Sequence, residues 1–147
     1  MPGRVLAVCI SEKKGERKKP VREVSVRENY GIVDDAHAGD WHRQISLLAM
    51  ESIKKMQAKG LDVTTGDFAE NITTEGIDLP SLPIGTRLAI GDTLTEVTQI
   101  GKECHTRCAI YHQAGDCVMP REGIFVKVLR GGTIRNNDSI EIVENKE

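Results

Sequence analysis

Apolar and polar positions alternate in short bursts along most of this chain, and they lengthen into a helical rhythm only once. Arg4–Ser11 carries the run Val5-Leu-Ala-Val-Cys-Ile10 and reads as a strand. Arg22–Glu28 sets Val24 and Val26 against charged neighbours, the period-two mark of a half-buried strand. A hairpin joining these two strands is the expectation. Tyr30–Arg43 is rich in Gly and Asp with neither periodicity, so it reads as an exposed loop, with Gln44–Leu48 returning as a strand. Met50–Lys59 is the clearest helix: Met50, Ile53 and Met56 recur at three-residue spacing toward the core, and Gly60 supplies the stop. Phe68–Thr74 reads as a strand leading to a turn at Gly76, after which Pro80 and Pro83 exclude regular pairing. Thr86–Ile90 and Thr93–Ile100, split by Gly91-Asp92, predict a hairpin. Ile124–Leu129 predicts a strand with Gly131-Gly132 as its turn, Ser139–Val143 closes the set, and Glu144–Glu147 reads as a frayed tail. With no internal repeat and no linker, the pattern implies a single domain over residues 1–147. Its class is mainly β: a small closed or partly open β-barrel with one clear helix and a few short helical turns.

Composition sharpens this picture in two ways. One Trp, two Tyr and two Phe leave the core to Val, Ile and Leu, which suit strands. A formal net charge of −2 gives no general reason to bind nucleic acid or an acidic membrane. The basic run Lys13-Lys-Gly-Glu-Arg-Lys-Lys19 is the local exception, and with Gly15 and Pro20 punctuating it the expectation is a solvated loop. The apolar run at the N-terminus is too short to span a membrane and lacks a signal-peptide pattern, so a cytoplasmic protein is expected.

In that compartment thiols stay reduced, and clustered cysteines read as reactive or metal-binding rather than as a disulfide framework. Cys104, Cys108 and Cys117 share the segment Gly101–Cys117 with His105 and His112; Cys9 sits apart, inside an apolar run, and reads as a core residue. Lys102, His105 and Arg107 place positive charge near Cys104 and Cys108, which favours the nucleophilic thiolate. Three readings stay open here: a cysteine that carries sulfane sulfur or ligates a soft metal such as molybdenum, a zinc site built from Cys104, His105, Cys108, His112 and Cys117, and thiols that are merely small buried residues. The loop holding Asp34, Asp35, His37, Asp40, His42 and Arg43 has the side chains to hold a metal or an anion, although polar loops of this make-up are common without function. Gly66, Gly76, Gly85 and Gly91 read as turn glycines, since neither a phosphate-binding glycine motif nor a Gly-x-Ser-x-Gly elbow occurs.

The order of motifs carries more than any one of them. Gly31-Ile-Val with Asp35-Ala-His-Ala-Gly39, then Arg43-Gln-Ile-Ser-Leu-Leu48, resembles the first signature of the MOSC domains, named for the C-terminal domain of molybdenum cofactor sulfurase. Gly66-Asp-Phe-Ala-Glu-Asn-Ile-Thr-Thr74 is similar to the second block, Leu82–Asp92 to the third, and Gly123–Ile134 to the closing one, so that the likeness covers residues 3–143. It departs at Asn137-Asp138, where the family has Gly-Asp, and at Glu103, where Pro commonly precedes the family cysteine.

The resemblance implies a mostly β, barrel-like fold and sulfur or molybdenum chemistry at one cysteine. Counting without gaps from Ile90-Gly-Asp92 gives Cys104, and a shift of one helical turn gives Cys108. It further implies a persulfide carrier, or a metal ligand at Cys104, in sulfuration or delivery of the molybdenum cofactor. Lys102, His105 and Arg107 would steady the anionic sulfur; Asp35, His37, Arg43 and Asn71 would line a pterin or phosphate pocket. A pyridoxal-phosphate domain does not fit beside the barrel in this length, so sulfur is expected from a partner cysteine desulfurase or another donor. The recipient would be a molybdoenzyme client or a cofactor-biosynthesis protein. The alternatives are a molybdenum-dependent reductase of N-hydroxylated compounds, which needs a separate electron donor, a non-catalytic cofactor-binding module and a zinc-stabilised domain.

Overall fold

The computed structural model describes residues 3–13, 17–101 and 122–143. The strands are β1 (Gly3–Ile10), β2 (Lys19–Val21), β3 (Glu23–Arg27), β4 (Gly31–Ile32), β5 (Ile45–Ala49), β6 (Ile72–Glu75), β7 (Arg87–Ile90), β8 (Thr93–Ile100), β9 (Ile124–Arg130), β10 (Gly132–Arg135) and β11 (Ser139–Val143). A helix, α1 (Met50–Ala58), follows β5, and a 3-10 turn lies at Leu79–Ser81. Seven strands run in the order β11-β7-β8-β9-β5-β6-β1, and β1 pairs back onto β11 to close a barrel. The described residues therefore form the expected mainly β barrel with one clear helix.

The strand pattern explains where the apolar side chains go. Val5, Ile45, Leu47, Ile72, Leu88, Ile90, Val97, Ile124, Val126 and Ile140 point inward from successive strands and fill the barrel. β5 is buried on both faces because α1 covers its outer side. Leu48 of β5 and Phe125 of β9 meet Ile53 and Met56 of α1 there, together with Val63 and Phe68, in a second core. The three-residue spacing of Met50, Ile53 and Met56 thus faces the protein interior, as expected. Gly60, at φ 90°, ends the helix, and its N–H donates to the Gln57 carbonyl. The helix connects β5 to β6, which lie side by side in parallel, as a crossover connection allows and a tight hairpin does not.

Several expectations need correction. The first hairpin joins β1 to β2, with Ile10 opposite Lys19, whereas β3 pairs with β4 and β10 in a separate small sheet. Gly132 opens strand β10 instead of finishing a turn, and the Phe68–Asn71 part of the predicted strand is turn, with β6 beginning at Ile72. The basic run is not wholly solvated, because the Lys18 side chain is fully buried. Nor is the following loop wholly exposed, because β4 and Asp35 are buried.

Pro20 also has a physical place. Cys9 turns its backbone groups toward Asn71 at the start of β6, so its partner Pro20 turns its nitrogen to the outer edge of β2, where no N–H is needed. A proline on an open edge discourages pairing with other strands.

Candidate functional site

Two loops and one strand end build the candidate site, and a buried frame holds them. Asp35 lies inside. One carboxylate oxygen accepts from the Lys18 ammonium at 2.8 Å and from the Ser11 N–H at 3.1 Å; the other accepts from the His37 N–H at 3.0 Å. Lys18 also donates to the Ser11 hydroxyl at 2.9 Å. Burial alone would raise the Asp35 carboxyl, but the hydrogen bond and charge of Lys18, with help from the His37 N–H and the Asn71 amide, hold it below its ordinary value.

Asn71 completes this frame. Its side-chain oxygen accepts from the Ser46 N–H at 3.0 Å and its amide donates to the Cys9 carbonyl at 3.1 Å, so it joins β1 and β5 where β6 begins. The preceding Gly66–Glu70 stretch is a tight turn. Gly66 has φ 84°, and a Cβ there would fall on the Lys18 carbonyl, so no other residue fits. Glu70 is buried and accepts from the N–H groups of Gly66 and Phe68 and from the Thr73 hydroxyl. Burial outweighs those bonds and pushes its carboxyl up. Cys9, against the same turn, is driven to about 12, by burial first and then by the Glu70 charge. It is an inert core thiol, as its apolar surroundings in the sequence imply.

Outward from Asp35, contacts continue without a break. His37 Nδ1 lies 3.9 Å from Asp35 Oδ2, and the His37 and Trp41 rings are parallel with centroids 6.5 Å apart. The indole N–H donates to the His37 carbonyl at 2.7 Å. The Arg43 guanidinium stands 6.0 Å from the Trp41 ring centroid and 5.2 Å from that of Phe125. Its Nε donates to Gln99 Oε1 at 2.9 Å, and His42 Nε2 meets the same oxygen at 2.9 Å. Gln99 Nε2 then donates to the Gly101 carbonyl at 2.7 Å, while the Gly101 N–H donates to the Gly123 carbonyl at 2.6 Å.

Asp35, His37 and Arg43 therefore belong to one continuous series of contacts that starts at the buried Asp35, with Asn71 behind it. The remaining candidates, Lys102, Cys104, His105, Arg107 and Cys108, lie outside the described residues, as do His112 and Cys117 of the zinc reading. Sequence reasoning missed Lys18, whose acidic partner is 17 positions away. It also missed Gln99, for which a signal exists: an amide that continues the inward series Thr93, Thr95, Val97 has no place in an apolar barrel.

Comparisons with known proteins match this architecture. The family model of the MOSC domain matches residues 34–141. The chain belongs to the MOSC domain family. YuaD protein from Bacillus subtilis has a similar fold, with a TM-score of 0.81 at 19% identity over 99% of this chain and 98% of that one. YiiM from Geobacillus stearothermophilus gives a TM-score of 0.72 at 22% identity over 97% of this chain and 75% of that one. YiiM from Escherichia coli gives 0.69 at 16% identity over 98% and 71%. Comparison with curated proteins finds no match. MOSC domains are associated with the molybdenum cofactor. In this MOSC domain the matched stretch holds Asp35, His37, Arg43, Asn71 and Gln99, whereas Lys18, which anchors Asp35, precedes it. No helix among the described residues is long and apolar enough to cross a membrane.

Proposed function

We propose that this MOSC domain binds the molybdenum cofactor and carries sulfur for it, with Cys104 as the reactive thiol and Cys108 as the second candidate. The observation that carries the reading is the anchoring of Gly101. Paired strands β8 and β9 run together up to Ile100 opposite Ile124, and Gly101 is then fastened to Gly123 and Gln99 beside Arg43 and His42. Cys104 follows three residues later, a reach of at most about 11 Å along an extended chain. The thiol-bearing segment thus starts next to a surface with the right donors for a phosphorylated heterocycle: a guanidinium for phosphate and an indole face for a planar ring.

The residues present fit the cofactor in that sense. Arg43 would take its phosphate, Trp41 and His42 its ring system, and Cys104 would ligate the metal or carry its sulfur; the cofactor, when bound, supplies molybdenum–sulfur chemistry. In the loading step the Cys104 thiolate attacks the terminal sulfur of a donor persulfide. A new sulfur–sulfur bond forms on Cys104, the donor's own sulfur–sulfur bond breaks, and the donor leaves as its thiolate, with no net oxidation. Lys102, His105 and Arg107 favour this by stabilising anionic sulfur. Asp35 and His37 act through position, holding the Trp41–Arg43 loop to the Lys18 frame. The donor is a partner cysteine desulfurase, and the recipient a molybdoenzyme or cofactor-biosynthesis protein.

Incubation with a desulfurase and cysteine, followed by mass spectrometry, should show one added sulfur on Cys104. Metal analysis after expression in a molybdate-replete host should show molybdenum rather than zinc. Loss of sulfur from Cys108→Ala but not from Cys104→Ala would move the role to Cys108. Absence of both molybdenum and persulfide would end this reading.

A further inference from the structure

We propose that Gln99 is the positioning residue that aims Arg43 at an oxyanion, and that a bulge in β8 exists to put it there. Opposite β9, Val97 faces Val126 but Gln99 already faces Phe125, so two steps of β8 match one step of β9 around Thr98. Val126 points into the barrel, whereas Phe125 points out toward α1. The extra residue therefore transfers Gln99 from the inward series of Thr93, Thr95 and Val97 to the outer face that Phe125 shares. Bulges re-aim side chains in this way. Thr98 secures the bulge by donating from its hydroxyl to the carbonyls of His42 and Phe125.

The orientation of the Gln99 amide is fixed by its partners. Its oxygen receives the Arg43 Nε–H, which can only donate, and its nitrogen donates to the Gly101 carbonyl, which can only accept. Because the oxygen cannot donate, His42 Nε2 must carry a hydrogen. One amide thus collects two donors from the Trp41–Arg43 loop and ties them to Gly101.

For Arg43 the consequence is directional. Of its five N–H donors, only Nε is hydrogen-bonded among the described residues. The ring faces of Phe125 and Trp41 flank the guanidinium. The terminal amino groups remain as a fork suited to a bidentate oxyanion, phosphate in the first instance. This inference rests on the reading of Arg43 as an anion-binding side chain, and it adds the residue that sets its geometry.

Inorganic phosphate, titrated by calorimetry into the full chain and into Gln99→Leu and the near-isosteric Gln99→Met, tests it. Both variants should bind about tenfold more weakly than wild type, the scale of losing a hydrogen bond to a charged group. Nitrogen-15 NMR should show a slowly exchanging Arg43 Nε–H in the wild type that is lost in both variants. Gln99→Glu, which keeps the acceptor, should retain that signal while still losing phosphate affinity through charge neutralisation. Either Gln99→Leu or Gln99→Met binding phosphate within twofold of wild type with the Nε–H signal intact would overturn the proposal, as would a wild type that binds no phosphate. Because the readouts do not involve Cys104, loss of phosphate binding with persulfide formation intact would leave the sulfur-carrier reading standing. The reverse outcome would retain the Gln99 assignment and remove that reading.

Discussion

Breaking the Lys18–Asp35 pair from one side strands a charge in the interior, since both side chains are fully buried. Lys18→Met or Asp35→Leu alone should cost about 3–5 kcal/mol, while the double replacement should recover much of the loss. Urea unfolding measures both. The pair also sets an acid dependence. The Asp35 carboxyl is held low in the folded state, so its contribution is present above its unfolded value and is lost as pH falls through the folded one. Glu70 has the opposite sign: its raised carboxyl favours the folded state at low pH and loses that contribution as pH rises. Unfolding between about pH 2 and 5 should therefore be less acid-labile in the double variant than in the wild type, and an unchanged slope would remove Asp35 as the source. Cys9, driven to about 12, should resist alkylation at pH 8 in the folded protein. Labelling of Cys9 at the rate of a free thiol would contradict its burial. At this scale the sequence showed Cys9 as a core thiol, Asp35, His37 and Arg43 as site candidates, but not Lys18. A lysine in a run of charges looks solvated until its distant carboxylate is folded onto it.

At the scale of elements, legibility followed the distance between interacting residues. α1 and the β7–β8 hairpin were readable because a helical stripe and a Gly-Asp turn are local signals. β2, β4 and β10 span two to four residues and exist through partners elsewhere in the chain, so no local period announces them. The Gly66–Glu70 turn is the instructive miss. Phe68–Thr74 reads as one strand, but the short-range bonds of Glu70 to the Gly66 and Phe68 N–H groups bend the chain back on itself before Ile72. Gly66→Ala should therefore destabilise the fold by more than about 2 kcal/mol, because left-handed strain adds to collision with the Lys18 carbonyl. Gly60→Ala, at φ 90° with open space around it, should cost only the strain, about 1–2 kcal/mol. Equal losses in denaturant unfolding would show that the close approach at Gly66 carries no weight. Asn137 has a related role: at φ 73° it occupies the left-handed region, which asparagine tolerates better than most residues other than glycine.

Across the whole molecule the barrel is not uniformly sewn. β8 and β9 are matched over six residue pairs, whereas β1 and β11 meet at only two, Gly3 with Ile140 and Arg4 with Ser139. The seam is extended by the Val5 N–H to the Asp138 carbonyl at 2.8 Å and the Asn137 N–H to the Val5 carbonyl at 2.7 Å. Ile140, fully buried, plugs it from inside. The chain thus closes its barrel at its weakest junction, on the opposite flank of the strand order from the β8–β9 pair that carries Gln99 and Gly101. Local opening needs little free energy where few bonds must break together, so the Val5 and Asn137 amides should exchange faster than those of Val97 and Val126. Ile140→Ala should cost about 2–5 kcal/mol in global stability and speed exchange at the seam first. Native-state hydrogen exchange resolves both effects. If the β8–β9 amides exchanged as fast as the seam, the rigid support claimed for Gln99 would be missing, and with it the reason for placing a fixed guanidinium there.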